Sequence, residues 1–271
     1  MNDRCGFVYV ATGDGYRSEV LTSAASLRAV MPSASICLIT DAAPAQNSLF
    51  DTVLIQTAVC HNPIDKLLSI DCPYDRVVFL DTDTLICGDL SELFDVLDRF
   101  DLALLQENHR GWDYTLPGVP PTFPEYNTGV IVFRRSDGMR ELFASWRATY
   151  NELRQTQGLR NDQPAFRQVL YRSDLRVATL PSEYHFLGNV PNYTMWAVRL
   201  VHARGDLPCI ERLVNASLGA RAYLPSVGVF RSFQGRKLWL QSLLLISWRM
   251  LRALFRPPVD PSLLNPGRWW K

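Results

Sequence analysis

The sequence lacks the features that define several common classes of protein. Its six cysteines include no C-x-x-C pair, which argues against both a zinc site and a dense disulfide framework. A net charge of +1 over 271 residues argues against nucleic acid as a partner. No apolar segment precedes the first predicted strand, so we expect no secretory signal and a cytoplasmic protein with free thiols. The remaining composition, 47% hydrophobic and 20% charged, is that of an ordinary globular protein.

Apolar runs and helical periodicity alternate along most of the chain. Strands are predicted at residues 7–11, 35–40, 52–55, 76–80, 101–105 and 127–133, the last entered through a turn at Asn127. Helices are predicted at residues 17–31, 64–68, 90–97 (with Ser91 as a cap), 138–154 and 163–171. Loops are predicted at residues 12–16 and 111–124. This order predicts an α/β fold in which helices cover both faces of a mostly parallel sheet.

Two acidic residues stand directly after the apolar run 77–80. Asp81 and Asp83 are spaced i and i+2, and no lysine or arginine adjoins them in the chain. Ligands of open α/β sheets bind beyond the carboxyl ends of the strands, and two unpaired carboxylates there would repel each other unless a cation binds. Hard divalent cations take oxygen ligands. The pair therefore predicts a metal site, with a solvated turn that caps the next helix as the alternative.

Basic residues are concentrated at the C-terminal end. Residues 229–271 contain eight basic residues and one acid, a net charge of +7 that leaves −6 for the rest. A helix is predicted at residues 237–255. Its longest uninterrupted apolar stretch is too short to span a bilayer. Its polar positions fall near one face: Gln241, Arg249, Arg252 and Arg256. This pattern predicts a helix that lies on an anionic membrane, with packing on the body or a dimer contact as alternatives. We therefore divide the chain into a body, residues 1–228, and a tail, residues 229–271.

Six short motifs follow one another along the body. They are VATGDGY at 10–16, DKL at 65–67, FLDTDT at 79–84, YNTGV at 126–130, NDQ at 161–163 and VHARG at 201–205. Together they resemble the retaining nucleotide-sugar glycosyltransferases of family eight, the group that includes glycogenin and the bacterial lipopolysaccharide galactosyl- and glucosyltransferases. The resemblance covers about residues 5–206. It implies the GT-A fold, a Rossmann-like α/β architecture with a mostly parallel sheet, here followed by a helical tail.

The resemblance implies a metal site formed by Asp81, Asp83 and His202. A mixed set of carboxylates and an imidazole suits Mn²⁺ better than Mg²⁺, which prefers oxygen ligands and water. The expected cofactor is therefore Mn²⁺, with Mg²⁺ as the second choice. The alternative for His202 is a histidine with a purely structural role.

The resemblance also implies the contacts of a nucleotide-sugar donor, with uridine as the base. Ala11 and Thr12 would contact the nucleoside, Asp14 would bind the base or ribose, and Tyr16 would stack on the uracil. The other implied donor contacts are Lys66, Asp81, Thr82, Asp83, Arg204 and Gly205. The alternatives are a core aromatic for Tyr16 and a surface lysine for Lys66.

The chain departs from the family after Gly205. Family members often carry Lys-Pro-Trp soon after the histidine and glycine, whereas this chain continues Asp206-Leu207-Pro208. The lysine that would neutralise the diphosphate is therefore missing, and Arg204 is its expected substitute.

The implied catalytic residues are Asn127, Asp162 and Gln163. Asp162 is the best nucleophile for a double displacement. In the other route, front-face substitution, the leaving diphosphate takes the acceptor's proton and Gln163 steadies the developing charge. Both routes stay open. Asp162 also directly precedes a predicted helix with proline near its start, so it is a candidate cap for that helix.

The implied activity is transfer of a sugar, with retention, from a UDP-sugar to a hydroxyl of a glycan or glycolipid, in lipopolysaccharide or other surface-polysaccharide synthesis. With the basic tail, this predicts a peripheral protein on the inner face of the cytoplasmic membrane. One alternative is a scaffold or sensor that binds the nucleotide sugar without turnover. Another, a nucleotidyltransferase, would need a basic Gly-rich phosphate loop, whereas residues 12–17 hold one base and one acid.

Overall fold

The computed structural model of the chain describes residues 3–107, 116–225, 227–231, 243–248 and 250–252. The strands, in chain order, are β1 (Cys5–Ala11), β2 (Ile36–Thr40), β3 (Thr52–Ile55), β4 (Arg76–Leu80), β5 (Thr84–Ile86), β6 (Leu102–Gln106), β7 (Tyr126–Arg134), β8 (Val177–Thr179), β9 (Phe186–Leu187), β10 (Asn192–Thr194), β11 (Leu200–His202), β12 (Arg221–Leu224) and β13 (Gly228–Arg231). The α-helices are α1 (Asp14–Val30), α2 (Asp137–Gln157), α3 (Gln163–Tyr171) and α4 (Leu207–Asn215).

The central sheet has seven strands in the order β3-β2-β1-β4-β7-β6-β8. Strand β7 runs antiparallel to both its neighbours, and the other pairs are parallel. The predicted α/β fold with a mostly parallel sheet is therefore confirmed.

Apolar side chains cover both faces of this sheet. On β1, Val8 belongs to one core and Phe7 and Tyr9 to the other, because successive side chains of a strand point to opposite faces. The core around Val8 also holds buried residues of α2 and α3, and the opposite core holds buried residues of α1. This double covering explains why the strands read as nearly continuous apolar runs.

Two three-stranded sheets flank the central one, with the orders β5-β11-β9 and β10-β12-β13. In the first, β11 pairs antiparallel with β5, so that His202 lies opposite Thr84. This pairing brings a histidine from late in the chain beside the Asp81–Asp83 segment.

The structure corrects several predicted element boundaries. Helix α1 begins at Asp14, so the predicted loop at 12–16 ends within the first turn of a helix. The predicted helices at 64–68 and 90–97 are 3₁₀ segments, Pro63–Asp71 and then Ser91–Leu93 and Asp95–Asp98. Ser91 is not the cap, because Leu90 occupies the N-cap position and no side chain there bonds to the backbone of the segment. The turn predicted at Asn127 is already part of β7.

The loop and tail predictions fall partly outside the described residues. Residues 116–124 contain no helix or strand, as predicted, and 111–115 lie outside the described part. Within the predicted tail helix, residues 243–248 and 250–252 are helical, whereas Gln241, Arg249 and Arg256 lie outside the described residues. The described segments include no helix that is long and apolar enough to cross a bilayer. Strand β13 begins at Gly228, and the division of the chain at this point stays a prediction.

Candidate functional site

The predicted site residues meet at one edge of the central sheet. This edge is formed by the carboxyl ends of β1 and β4 and, because β7 is antiparallel, by the start of β7. Asp81 therefore follows β4 next to the β7 backbone, where its N–H donates to the carbonyl of Gly129 at 2.8 Å. The fold thus brings the acidic motif and the YNTGV motif together.

Asp81, Asp83 and His202 form the cluster that the resemblance implies. One potential ligand atom of each residue lies within 4.8 Å of the others. His202 Nε2 lies 3.2 Å from Asp83 Oδ1, and both side chains are buried. Two carboxylates and one imidazole fit a divalent transition metal such as Mn²⁺.

The pKa values of the three groups reflect their burial and proximity. Burial, opposed by Lys66 and reinforced by Asp83, raises the pKa of Asp81 to about 6. For Asp83 the desolvation that favours the neutral acid is outweighed by His202 and Arg204, which lower its pKa to about 2. Burial alone would lower the pKa of His202, but the Asp83 carboxylate raises it above the usual value. A bound cation would take the place of the protons that Asp81 and His202 otherwise hold, and it would stabilise the deprotonated form of each ligand.

Two further residues fix the position of the His202 ring. His185 is fully buried and its Nε2 lies 2.9 Å from His202 Nδ1, which leaves His202 Nε2 directed at Asp83. Burial and the neighbouring His202 lower the pKa of His185 well below its usual value, so this ring is neutral. On the other side of the ring, Gly129 leaves no room for a side chain, because a Cβ there would lie 2.1 Å from His202 Cε1.

Lys66 is a buried residue within the site, so its alternative as a surface lysine is wrong. Its Nζ lies 3.4 Å from Asp81 Oδ2 and 3.3 Å from Asp162 Oδ2, and it donates to the Thr128 carbonyl at 3.1 Å. Burial opposes its charge, but the two carboxylates raise its pKa above the usual value. No basic residue adjoins Asp81 in the sequence, as noted above, but the fold brings the Lys66 ammonium within 3.4 Å of its carboxylate.

Arg204 supplies a second positive charge on the opposite side of the acidic pair. Its Nε lies 2.9 Å from Asp83 Oδ2, and its guanidinium also pairs with Glu19 of α1. Thr82, between Asp81 and Asp83 in the chain, donates its hydroxyl proton to the same Glu19. Gly205 follows with a φ of +123°, a conformation that residues with a side chain rarely adopt.

The residues expected to contact the nucleoside lie at the end of β1 and the start of α1. Ala11 and Thr12 are buried, and the Thr12 hydroxyl donates to Asp65 Oδ2 at 2.8 Å, so that proton is already used. Asp14 is fully solvent-exposed and pairs with Arg17. Tyr16 is 42% exposed, so its alternative as a core aromatic is wrong, and the Arg204 guanidinium lies 5.9 Å from its ring centroid.

Asn127 and Gln163 share a carboxylate partner that the sequence reasoning did not include. Asn127 Nδ2 donates to Glu107 Oε1 at 2.8 Å, and Gln163 Nε2 donates to the same oxygen at 3.1 Å. Gln163 Nε2 also lies 3.4 Å from Glu125 Oε1. Both bonds use the amide nitrogen of Gln163, and no residue that the structure describes donates a hydrogen bond to its carbonyl oxygen.

Asp162 does not cap α3, because its side chain makes no bond to the backbone of that helix. Asn161 accepts from the Gln163 N–H instead. The Asp162 carboxylate turns into the site, where its Oδ2 accepts from Thr128 Oγ1 at 2.9 Å and approaches Lys66. It is almost fully buried.

The sequence reasoning missed Glu19, Glu107, Glu125 and His185. Glu107 directly follows β6, so the end-of-strand rule that singled out Asp81 would also have found it. The other three carry no comparable local signal, because their contacts depend on pairing between distant parts of the chain.

No protein-family model matches the chain, and no curated protein sequence does. Solved structures do match. An active-site mutant of LgtC aligns at 15% identity over 74% of this chain and 88% of that one, with a TM-score of 0.54. The galactosyltransferase LgtC in complex with donor and acceptor sugar analogues aligns at 16% identity over 74% and 87%, with a TM-score of 0.52. The glycosyltransferase GlyE of Streptococcus pneumoniae TIGR4 aligns at 15% identity over 96% and 66%, with a TM-score of 0.52. At these identities the likeness establishes the fold, and the chain has the GT-A fold.

Proposed function

We propose that the chain is a metal-dependent glycosyltransferase that moves a sugar from a nucleoside diphosphate, with uridine as the base, to a hydroxyl group. The observation that carries this proposal is the cluster of Asp81, Asp83 and His202 at the ligand-binding edge of a GT-A sheet. The LgtC structure with donor and acceptor sugar analogues supports the two substrate classes.

The three ligands would hold Mn²⁺ against the diphosphate of the donor. When bound, the cation supplies Lewis-acid stabilisation to the departing diphosphate. Arg204, 2.9 Å from Asp83 Oδ2, lies where its guanidinium can pair with a phosphate oxygen and so replace the missing lysine. Tyr16, exposed beside Arg204, is available to stack on the uracil.

Asn127 and Gln163 would bind the sugar on the side where the acceptor enters. Glu107 accepts one amide N–H from each, so both side chains are held in fixed orientations. The carbonyl oxygen of Gln163 then faces the positive charge that develops on the sugar as the bond to the diphosphate breaks. Preorganised dipoles of this kind need not reorient during the reaction.

The surroundings of Asp162 favour the front-face route over a covalent intermediate. Its Oδ2 accepts from Thr128 and lies 3.3 Å from the Lys66 ammonium, so much of its negative charge is neutralised. A carboxylate held in this way is a weak nucleophile. We therefore propose that Asp162 orients Lys66 and the donor sugar. The leaving diphosphate would remove the proton of the acceptor hydroxyl.

Calorimetric titration with a panel of nucleotide sugars, with Mn²⁺ and with chelator, tests the donor site. We expect Mn²⁺-dependent binding of one UDP-sugar, abolished in Asp83→Ala and in His202→Ala. Asp174→Asn, at an exposed position outside the site, is the matched control and should bind normally. Full Mn²⁺-dependent binding by either site variant would refute the metal assignment. Binding without donor consumption across a range of glycan acceptors would favour the scaffold or sensor instead.

The tail supports a lipid-linked acceptor on the inner face of the cytoplasmic membrane, such as a lipopolysaccharide precursor. Its described helical residues expose apolar side chains, among them Leu244, Trp248 and Met250. The Arg252 guanidinium lies 4.4 Å from the Trp248 ring centroid, so a basic and an aromatic group occupy the same surface. Interfacial helices on anionic lipid combine these groups.

Vesicle co-sedimentation tests this membrane association. The truncation should begin after Arg231, because β13 pairs with β12 up to that residue. We expect the full chain to bind vesicles that contain phosphatidylglycerol, and the truncated chain to stay in solution with its Mn²⁺ binding intact. Equal sedimentation of both proteins would refute a role for the tail.

A further inference from the structure

One end of the β10-β12-β13 sheet exposes a group of large apolar side chains. Met195 and Trp196 follow β10 and are 42% and 67% exposed, and Leu218, which precedes β12, is 64% exposed. The backbone N–H of Gly219 donates to the Met195 carbonyl at 2.9 Å, so the two segments lie side by side. We call Met195, Trp196 and Leu218 the apolar tip.

A buried arginine holds the backbone of the tip in place. Arg221 is almost fully buried, and its guanidinium donates to the carbonyls of Met195 at 3.2 Å, Trp196 at 2.7 Å and Gly219 at 3.0 Å. Its Nε also donates to the Val214 carbonyl at 2.6 Å. The apolar side chains are therefore presented to solvent on a rigid support.

The tip lies at the end of the sheet from which the tail departs. Thr194 pairs with Arg221, and Arg221 pairs with Arg231, so these three residues lie side by side across the sheet. The chain enters the tip directly after Thr194, and the part of the tail beyond β13 begins directly after Arg231. Residues 232–271 then contain seven basic residues and one acid.

We propose that the apolar tip inserts into the headgroup region of an anionic membrane. This inference rests on the membrane association proposed above and adds a second, rigid contact to it. Tryptophan favours the membrane interface, and the basic residues that follow Arg231 in the sequence would attract anionic lipids. Lipid is therefore the occupant that the exposed tryptophan and the basic sequence after Arg231 favour.

The tip would also set the height of the active site above the lipid surface. Tyr223 of β12 donates its hydroxyl proton to the Gly188 carbonyl at 3.0 Å. The Gly188 N–H donates in turn to the carbonyl of His202 at 2.9 Å. The sheet that carries the tip is thus hydrogen-bonded to the strand that carries a predicted metal ligand. A lipid-linked acceptor needs a fixed distance of this kind, which electrostatic attraction by the tail alone does not supply.

The test uses the full chain with Met195→Ser, Trp196→Ser and Leu218→Ser combined. Leu224→Ser is the matched control, because Leu224 is also exposed but lies at the opposite end of the same sheet. Partition is measured on vesicles of phosphatidylcholine with phosphatidylglycerol and of phosphatidylcholine alone. We expect the triple variant to partition at least about tenfold more weakly on the anionic vesicles, and the control to match the unsubstituted chain. Thermal unfolding and Mn²⁺ titration of each variant establish that the body is folded.

Each other outcome refutes a specific statement. If the unsubstituted chain does not bind anionic vesicles, the membrane association fails and the tip contact fails with it. If the chain binds and the triple variant binds equally well, the tip contact alone is wrong. If the triple variant changes the oligomeric state in gel filtration but not the partition, the tip is a contact between two copies of the chain.

Discussion

His185 Nε2 lies 2.9 Å from Nδ1 of His202, within the fully buried part of the site. With His185 Nε2 as the acceptor of the Nδ1–H of His202, the lone pair of His202 Nε2 is directed at the predicted metal position. Histidines that bind metals commonly donate their other N–H to such a partner, which fixes the tautomer and the ring orientation. We regard His185 as a positioning residue for the metal site.

Substitution of His185 should therefore weaken metal binding without removing a ligand. We expect His185→Phe to lower the Mn²⁺ affinity by roughly 10- to 100-fold, because His202 loses the acceptor that holds its tautomer. His185→Gln, whose carbonyl oxygen can accept the same N–H, should retain most of the affinity. Mn²⁺ titration by electron paramagnetic resonance measures both. Equal losses in the two variants would indicate a packing role for His185 instead.

Gly129→Ala should displace the His202 ring, because the new Cβ would lie 2.1 Å from Cε1. We expect this variant to lose Mn²⁺ binding. Gly15→Ala is the matched control, since a Cβ there meets nothing within 4 Å and Gly15 lies in α1. Alanine is favoured over glycine in helices, so the control should keep its metal affinity and its melting temperature. Normal Mn²⁺ binding by Gly129→Ala would contradict the close approach of the His202 ring to this glycine.

Lys66→Met should destabilise the fold strongly. The substitution leaves the Asp162 carboxylate buried and without its ionic partner, a change that costs about 3–5 kcal/mol when a buried ion pair is broken. Lys66→Met combined with Asp162→Asn should recover part of that loss, because the unpaired charge is removed as well. Urea unfolding followed by circular dichroism measures the free energies.

The matched control for Lys66 is Arg176→Met. It breaks the Arg176–Asp101 pair, in which the arginine side chain is largely exposed, so the unfolding curve should hardly change. A Lys66→Met protein as stable as this control would mean that the Lys66–Asp162 contact contributes little in solution.

Metal binding should weaken as the pH falls through about 6. Burial, with Asp83 beside it, raises the pKa of Asp81 to about 6, and the Asp83 carboxylate raises the pKa of His202 against the effect of burial. As the pH falls, both groups take up protons that Mn²⁺ must displace, so the apparent affinity for Mn²⁺ decreases. Calorimetry between about pH 5 and pH 8 in two buffers of different ionisation enthalpy counts the protons. A constant affinity down to about pH 5, with the protein folded, would contradict the raised pKa values.

The sequence by itself determined the architecture and identified the candidate residues of the site. Strands such as β3 and β4 lie at their predicted residues because a doubly covered strand needs a continuous apolar run, and that requirement is local. The acids after β4 were recognisable for the same reason, since the end of a buried strand marks the ligand-binding edge of the sheet. The 3₁₀ form of Pro63–Asp71 was not recognisable, because an α-helix would carry a similar apolar pattern over so short a length.

The tertiary structure alone decided how the charges of the site are balanced. Asp81 has no basic neighbour in the chain, yet Lys66 from a 3₁₀ segment reaches both it and Asp162. The antiparallel pairing of β5 with β11 places His202 opposite Thr84 and brings Arg204 to Asp83. Such contacts depend on strand register between distant segments, which no local pattern encodes. The sequence therefore identified the candidate ligands and Lys66, whereas the contacts that His185, Lys66 and Gly129 make with those ligands depend on the fold.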